Sequence, residues 1–285
     1  MPFPDFDPVL LQIGPFAIRW YALAYVAGIL LGWRYVAGLI KNQSLWGPRG
    51  APATTAQIDD LILWITLGVI LGGRLGHVLF YTPSLIFTDP LEVVKVWNGG
   101  MSFHGGTLGV LIAILAFARV NKIDVFRLGD SIAGAVPIGL FFGRIANFIN
   151  GELWGRPTDV PWAFVFPNAG VMPRHPSQLY EAALEGLVLF LILRWATHGA
   201  KLLQRRGVVA GIFFLGYAVF RTFVENFREP DRYLQEFPLG LTMGMMLSAP
   251  MVIGGVWLIW RGMREPLATT ADAPAQPPVG KTQAP

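Results

Sequence analysis

Apolar stretches long enough to cross a bilayer recur from one end of this chain to the other, and most of them carry embedded charge. In hydrocarbon every backbone N–H and C=O must be satisfied within its own segment, so such stretches fold as helices. Only 14% of the 285 residues are charged and 53% are hydrophobic, against about 25% charged in an ordinary soluble domain. The net charge of +4 is spread between apolar segments and forms no basic face, so it is not a nucleic-acid signal.

Seven spans are predicted, each near the ~20 residues a bilayer requires: about 17–38, 58–80, 103–120, 130–149, 176–196, 208–227 and 238–260. The fold class expected is all-α, a polytopic membrane protein of seven transmembrane helices with a small outer head region. Residues 1–265 are read as a single transmembrane catalytic domain. Residues 266–285, rich in Ala, Pro, Thr and Gln, are read as a disordered cytoplasmic tail. With the N-terminus outside, most of the 22 Lys and Arg fall in inward-facing loops, so the positive-inside rule favours N-out and C-in. Asp5 and Asp7 stand where a signal peptide would be basic, so the first span is expected to be retained. There are no cysteines, which excludes disulfides and a cysteine nucleophile. The four histidines lack metal-ligand spacing, and no metal is expected.

A charged side chain at membrane depth costs roughly 2.5–3.5 kcal/mol on insertion scales, so each one calls for a partner or a task. At ~1.5 Å per residue, Arg144 and Arg221 lie roughly 20 Å from the inner surface, and Arg74 and His77 somewhat further out. Tyr21, His104 and Glu181 fall in the first turns of inward-running spans. The acids Asp59, Asp60 and Asp130 are read as N-terminal caps at the inner face. A polar pocket in the outer half of the membrane suits an enzyme acting on a lipid headgroup better than a transporter, whose polar groups gather at the midplane.

Each motif admits a dull reading beside a chemical one. Arg144 and Asn147 share a helical face, followed by Glu152 and Arg156. They form either an ion-pair network closing the helix or a forked donor set for a phosphodiester. Arg221 and Glu225 permit an i,i+4 pair. His104 begins a helix beside Gly105 and Gly106, where free N–H groups and an imidazole near pKa 6.5 suit proton transfer. His175, Gln178, Tyr180 and Glu181 line the same cavity or fasten the outer loop. Tyr21 offers a phenol to the site or belongs, with Trp20, to an interfacial aromatic belt. For Arg74 and His77, packing against the neighbouring loop is the default.

Four segments, taken in order, resemble the prolipoprotein diacylglyceryl transferase family over about residues 5–262. They are Ser102-Phe103-His104-Gly105-Gly106, the long block from Gly143 to Arg156, Arg174-His175-Pro176 through Glu181, and Phe220-Arg221 through Glu225 to Asp231. The resemblance implies a bacterial inner-membrane enzyme, multi-pass, with its active site toward the periplasm. It implies transfer of the diacylglyceryl group of phosphatidylglycerol to the lipobox cysteine of a preprolipoprotein signal peptide. A thioether forms and glycerol-1-phosphate leaves, without any cofactor. It also associates Tyr21, His104, Arg144, Asn147, Glu152, Gly155, Arg221 and Glu225 with activity. Arg144, Arg221, Asn147 and Gly155 would bind phosphatidylglycerol, with His175 and Glu181 supporting. On this reading His104 takes the thiol proton, and Glu152 and Glu225 fix the arginines.

Overall fold

A computed structural model describes residues 1–4, 6–7, 9–14, 16–229 and 242–269. The start of the seventh expected span at 238–241 and the tail from 270 to 285 lie outside the described residues. The chain divides into two compact units, one formed by residues 1–51 and 130–285 and the other by 52–129.

Among the described residues six helices are long and apolar enough to cross a membrane: Trp20–Lys41, Thr55–Tyr81, Phe103–Val120, Val125–Ile149, Val208–Glu225 and Met243–Arg264. They coincide with six of the expected spans. Residues 177–199, where the fifth (about 176–196) falls, form one unbroken helical run in which α and π turns alternate. The strands and helices are β1 (Val9–Ile13), β2 (Phe16–Arg19), α1 (Trp20–Lys41), α2 (Thr55–Tyr81), α3 (Leu85–Thr88), α4 (Phe103–Val120), α5 (Val125–Ala133), α6 (Val136–Ile149), α7 (Ser177–Glu181), α8 (Leu189–Arg194), α9 (Val208–Glu225) and α10 (Met243–Arg264). The mostly helical expectation holds. The antiparallel hairpin β1–β2 was not expected, and it departs from a strictly all-α fold.

In the unit of residues 52–129, α2 packs on α4 through facing glycines. A Cβ on Gly109 would stand 2.0 Å from the Gly68 oxygen, and one on Gly105 2.3 Å from the Gly72 oxygen. Backbones approach this closely only where small residues face each other. α2 starts with a capping box between Thr54 and Gln57, so Asp59 and Asp60 are not its caps.

In the other unit α6 packs against α1 and against residues 182–188. Pro137 sits in the first turn of α6, where its missing N–H leaves no bond unmade. Asp130 is fully buried within α5, so it does not start that helix. Its carboxylate instead accepts from Gly207 N at 2.7 Å and Ala210 N at 2.8 Å, capping α9. Between α7 and α8 the run widens into a π-helix over Ala182–Val188, and a second π segment, Trp195–Gly199, follows α8. Such wide turns recur at functional sites. This one carries Glu185 and meets α6 where a Cβ on Gly186 would lie 2.7 Å from Phe141 Cβ.

Candidate active site

Three arginines in the larger unit converge on one carboxylate. Glu181 is fully buried at the end of α7. Arg221 of α9 donates to Glu181 Oε1, and Arg228 Nη1 donates to the same oxygen at 3.2 Å. Arg144 Nε of α6 lies 3.4 Å from Oε2. Arg144 also stands 3.7 Å from Glu185, and Arg221 stands 2.8 Å from Glu225. The acids lie behind and the cations in front: Glu181 and Glu185 have no exposed surface, whereas the side chains of Arg144 and Arg221 keep 17% and 13%. Burying such pairs is costly unless the charges are matched and hydrogen-bonded. Each of these arginines is held by carboxylates and keeps a small part of its side chain exposed, and a guanidinium's forked donors suit a planar or tetrahedral oxyanion.

The end of α6 supplies a neutral donor beside them. Asn147 is buried, and its Nδ2 donates to Glu152 Oε1 at 2.8 Å. Glu152 therefore orients the asparagine, whereas the sequence assigned it to an arginine. Gln178 and Ser177 donate to the backbone oxygens of Glu152 and Leu153, fastening this corner to α7. Gly155 lies in a slot where a Cβ would meet Phe227 O at 2.4 Å and His175 Cβ at 2.7 Å. Its N–H donates to His175 O at 2.9 Å, and Arg156 N donates to Phe227 O at 2.9 Å. The first bond closes residues 151–176 on themselves, and the second ties them to the segment after α9. Arg174 donates to Gly155 O, Ala169 O and Glu229 Oε2.

His175 Nδ1 is 3.1 Å from the Tyr180 hydroxyl, which also accepts from Trp162 Nε1. Burial pulls the His175 imidazole below its ordinary value. His175, Gln178 and Tyr180 thus fasten the loop, and Glu181 joins the charged cluster. Tyr21 is half-buried on α1, its hydroxyl 3.5 Å from that of Tyr25, and both phenols lie within electrostatic reach of Arg144.

His104 belongs to the smaller unit. It is exposed in the first turn of α4, where Ser102 caps Gly105 N at 3.2 Å. Gly105 there serves contact between α4 and α2. Arg74 donates to the carbonyls of Glu92, Val93, Gly99 and Gly100, and His77 stacks on Tyr81 at 5.5 Å. The packing role expected of this pair is observed. Sequence reasoning gave no role to Glu185 or Arg228. The signal for Glu185 was available: two acids four apart in one apolar span. Arg228 stands beyond the end of its helix, where no periodicity places it.

Six apolar helices long enough to cross a bilayer, in a chain that also buries a matched Arg–Glu cluster, define a membrane protein. The family model for prolipoprotein diacylglyceryl transferase matches residues 8–261. A phosphatidylglycerol–prolipoprotein diacylglyceryl transferase of Phenylobacterium zucineum is 67% identical, covering 96% of this chain and all of that protein. Proteins of the same name from Caulobacter vibrioides and Rhizobium meliloti are 57% and 56% identical, covering 96% and 92% of this chain and 99% and 94% of their own lengths. The chain belongs to the prolipoprotein diacylglyceryl transferase family.

Proposed function

We propose that this chain transfers the diacylglyceryl group of phosphatidylglycerol to the lipobox cysteine of preprolipoproteins, and that Arg144 and Arg221 grip the phosphate during transfer. Family membership supports the reaction. The convergence of Arg144 and Arg221 on Glu181, with both side chains still partly exposed, is the observation that carries the grip.

The sulfur attacks the glyceryl carbon bearing the phosphate ester. A C–S bond forms as the C–O bond breaks, and glycerol-1-phosphate departs with the bonding electrons. A free thiol has a pKa near 8.5, so a base is needed at neutral pH. His104 is proposed as that base on the family resemblance alone. Arg144 and Arg221 neutralise charge building on the leaving phosphate, a preorganised role worth about 3–4 kcal/mol per donor in comparable sites. Asn147, held by Glu152, and Tyr21 orient the headgroup, Gly155 lets Phe227 and His175 close tightly beside it, and Glu225 holds Arg221. With no cysteine in the chain, single-step displacement is the economical route.

The same proposal includes seven membrane crossings, residues 177–199 being the fifth, with the N-terminus outside. It includes residues 1–265 as one catalytic domain, a cytoplasmic tail from 266, and residence in the bacterial inner membrane with the site facing the periplasm. The test is to incubate the purified protein with phosphatidylglycerol and a lipobox peptide and to look for the diacylglyceryl mass increment. Peptide with cysteine gains it and peptide with serine does not. Equal turnover of the two would refute the thiol mechanism.

A further inference from the structure

One buried carboxylate has no part in that mechanism. Glu185 has no exposed surface, and neither of its oxygens has a hydrogen-bond partner among the described residues. Its closest cation is Arg144, at 3.7 Å. The groups facing it are Arg144 on α6, Tyr217 and Arg221 on α9, Arg228 after α9, and Glu181 on its own helical run. Glu181 by contrast meets all three arginines, and Glu225 meets Arg221 at 2.8 Å. Glu185 is the least-held anion of the cluster.

No cation is in surplus before any lipid arrives: Arg144, Arg221 and Arg228 face Glu181, Glu185 and Glu225, and the Glu152 carboxylate stands beside them on Asn147. A phosphodiester adds one negative charge. Excess charge in an apolar site is expensive, and it is relieved when the worst-solvated, least-paired group changes protonation state. We propose that Glu185 takes up one proton from solvent when an anionic phospholipid headgroup binds the arginines, and returns it when the phosphate product leaves. The inference rests on the phosphate grip. Glu185 is a positioning residue: made neutral, it releases Arg144 from a loose pair and turns that guanidinium toward the phosphate. Because binding takes up a proton, affinity falls as pH rises, by up to about tenfold per unit while uptake is complete.

The experiment is calorimetric titration of short-chain phosphatidylglycerol into the full-length protein in detergent, in two buffers of different ionisation enthalpy. At alkaline pH, where Glu185 starts ionised, the wild type takes up close to one proton per lipid, and Glu185→Gln takes up close to none. The KM for the lipid rises with pH in the wild type and is flat in Glu185→Gln. Infrared difference spectra of the wild type gain a protonated-carboxyl band on lipid binding, a readout that needs no variant to fold. No proton uptake in the wild type, or unchanged uptake in Glu185→Gln, overturns the proposal. Arg144→Gln and Arg221→Gln separate the two layers: wild-type lipid affinity in both removes the grip, whatever Glu185 does.

Discussion

Arg74 and Arg144 carry the same insertion cost in apolar helices, yet the two units use them in opposite ways. Arg74 is 6% exposed and gives its donors to four backbone carbonyls of residues 92–100. Four of its five N–H donors are spent on the protein's own backbone, and the arginine staples a loop to a helix. Arg144 pairs with two buried carboxylates, and 17% of its side chain stays exposed. A membrane-depth cation is therefore structural when carbonyls consume its fork, and it is available for chemistry when only its charge is balanced.

That contrast is broken most easily by deleting each arginine. Arg144→Ala and Arg221→Ala should each lower transfer by at least about 10²–10³-fold, measured as lipidated peptide per folded protein. Arg144→Lys should recover only part of this, because the ammonium lacks the fork. Arg74→Ala should act on stability: orphaned carbonyls predict a loss of about 3 kcal/mol or more, read by thermal unfolding in detergent. The folded fraction of Arg74→Ala should turn over lipid at the wild-type rate. A large fall in kcat there would erase the distinction.

Gly109→Ala sharpens the comparison from the packing side, since its Cβ would be forced against the Gly68 oxygen. It should destabilise by about 1–3 kcal/mol and leave the lipid KM unchanged. A smaller effect concerns His175. Its folded-state value is lowered by burial, so the unfolded chain binds more protons, and stability falls as pH drops below the ordinary imidazole value of about 6.5. Melting curves from pH 7.5 to 5.5 should show this slope, and His175→Asn should flatten it. Ser102→Ala, which removes the cap on Gly105 N, should cost about 1 kcal/mol, measured in the same way.

Much of this architecture was legible in the sequence because hydrocarbon permits so few backbones. The helix Phe103–Val120 falls on its expected bounds, and the i,i+3 placement of Arg144 and Asn147 brings both to the end of α6. The hairpin Val9–Ile13 with Phe16–Arg19 was hidden because its short apolar strands run directly into α1. The π-helix was invisible because no side chain announces an extra residue per turn. Asp130 looked like a cap for its own helix and caps α9 instead, a partnership that only tertiary contact creates. For the same reason Glu152 was assigned to an arginine and binds Asn147.

The phosphate grip requires two guanidiniums from different helices to hold one lipid phosphate. A structure of the protein with phosphatidylglycerol bound is the decisive experiment. Phosphate oxygens should lie about 2.7–2.9 Å from nitrogens of both Arg144 and Arg221. A phosphate seated elsewhere, with both arginines still closed on Glu181 alone, would contradict it.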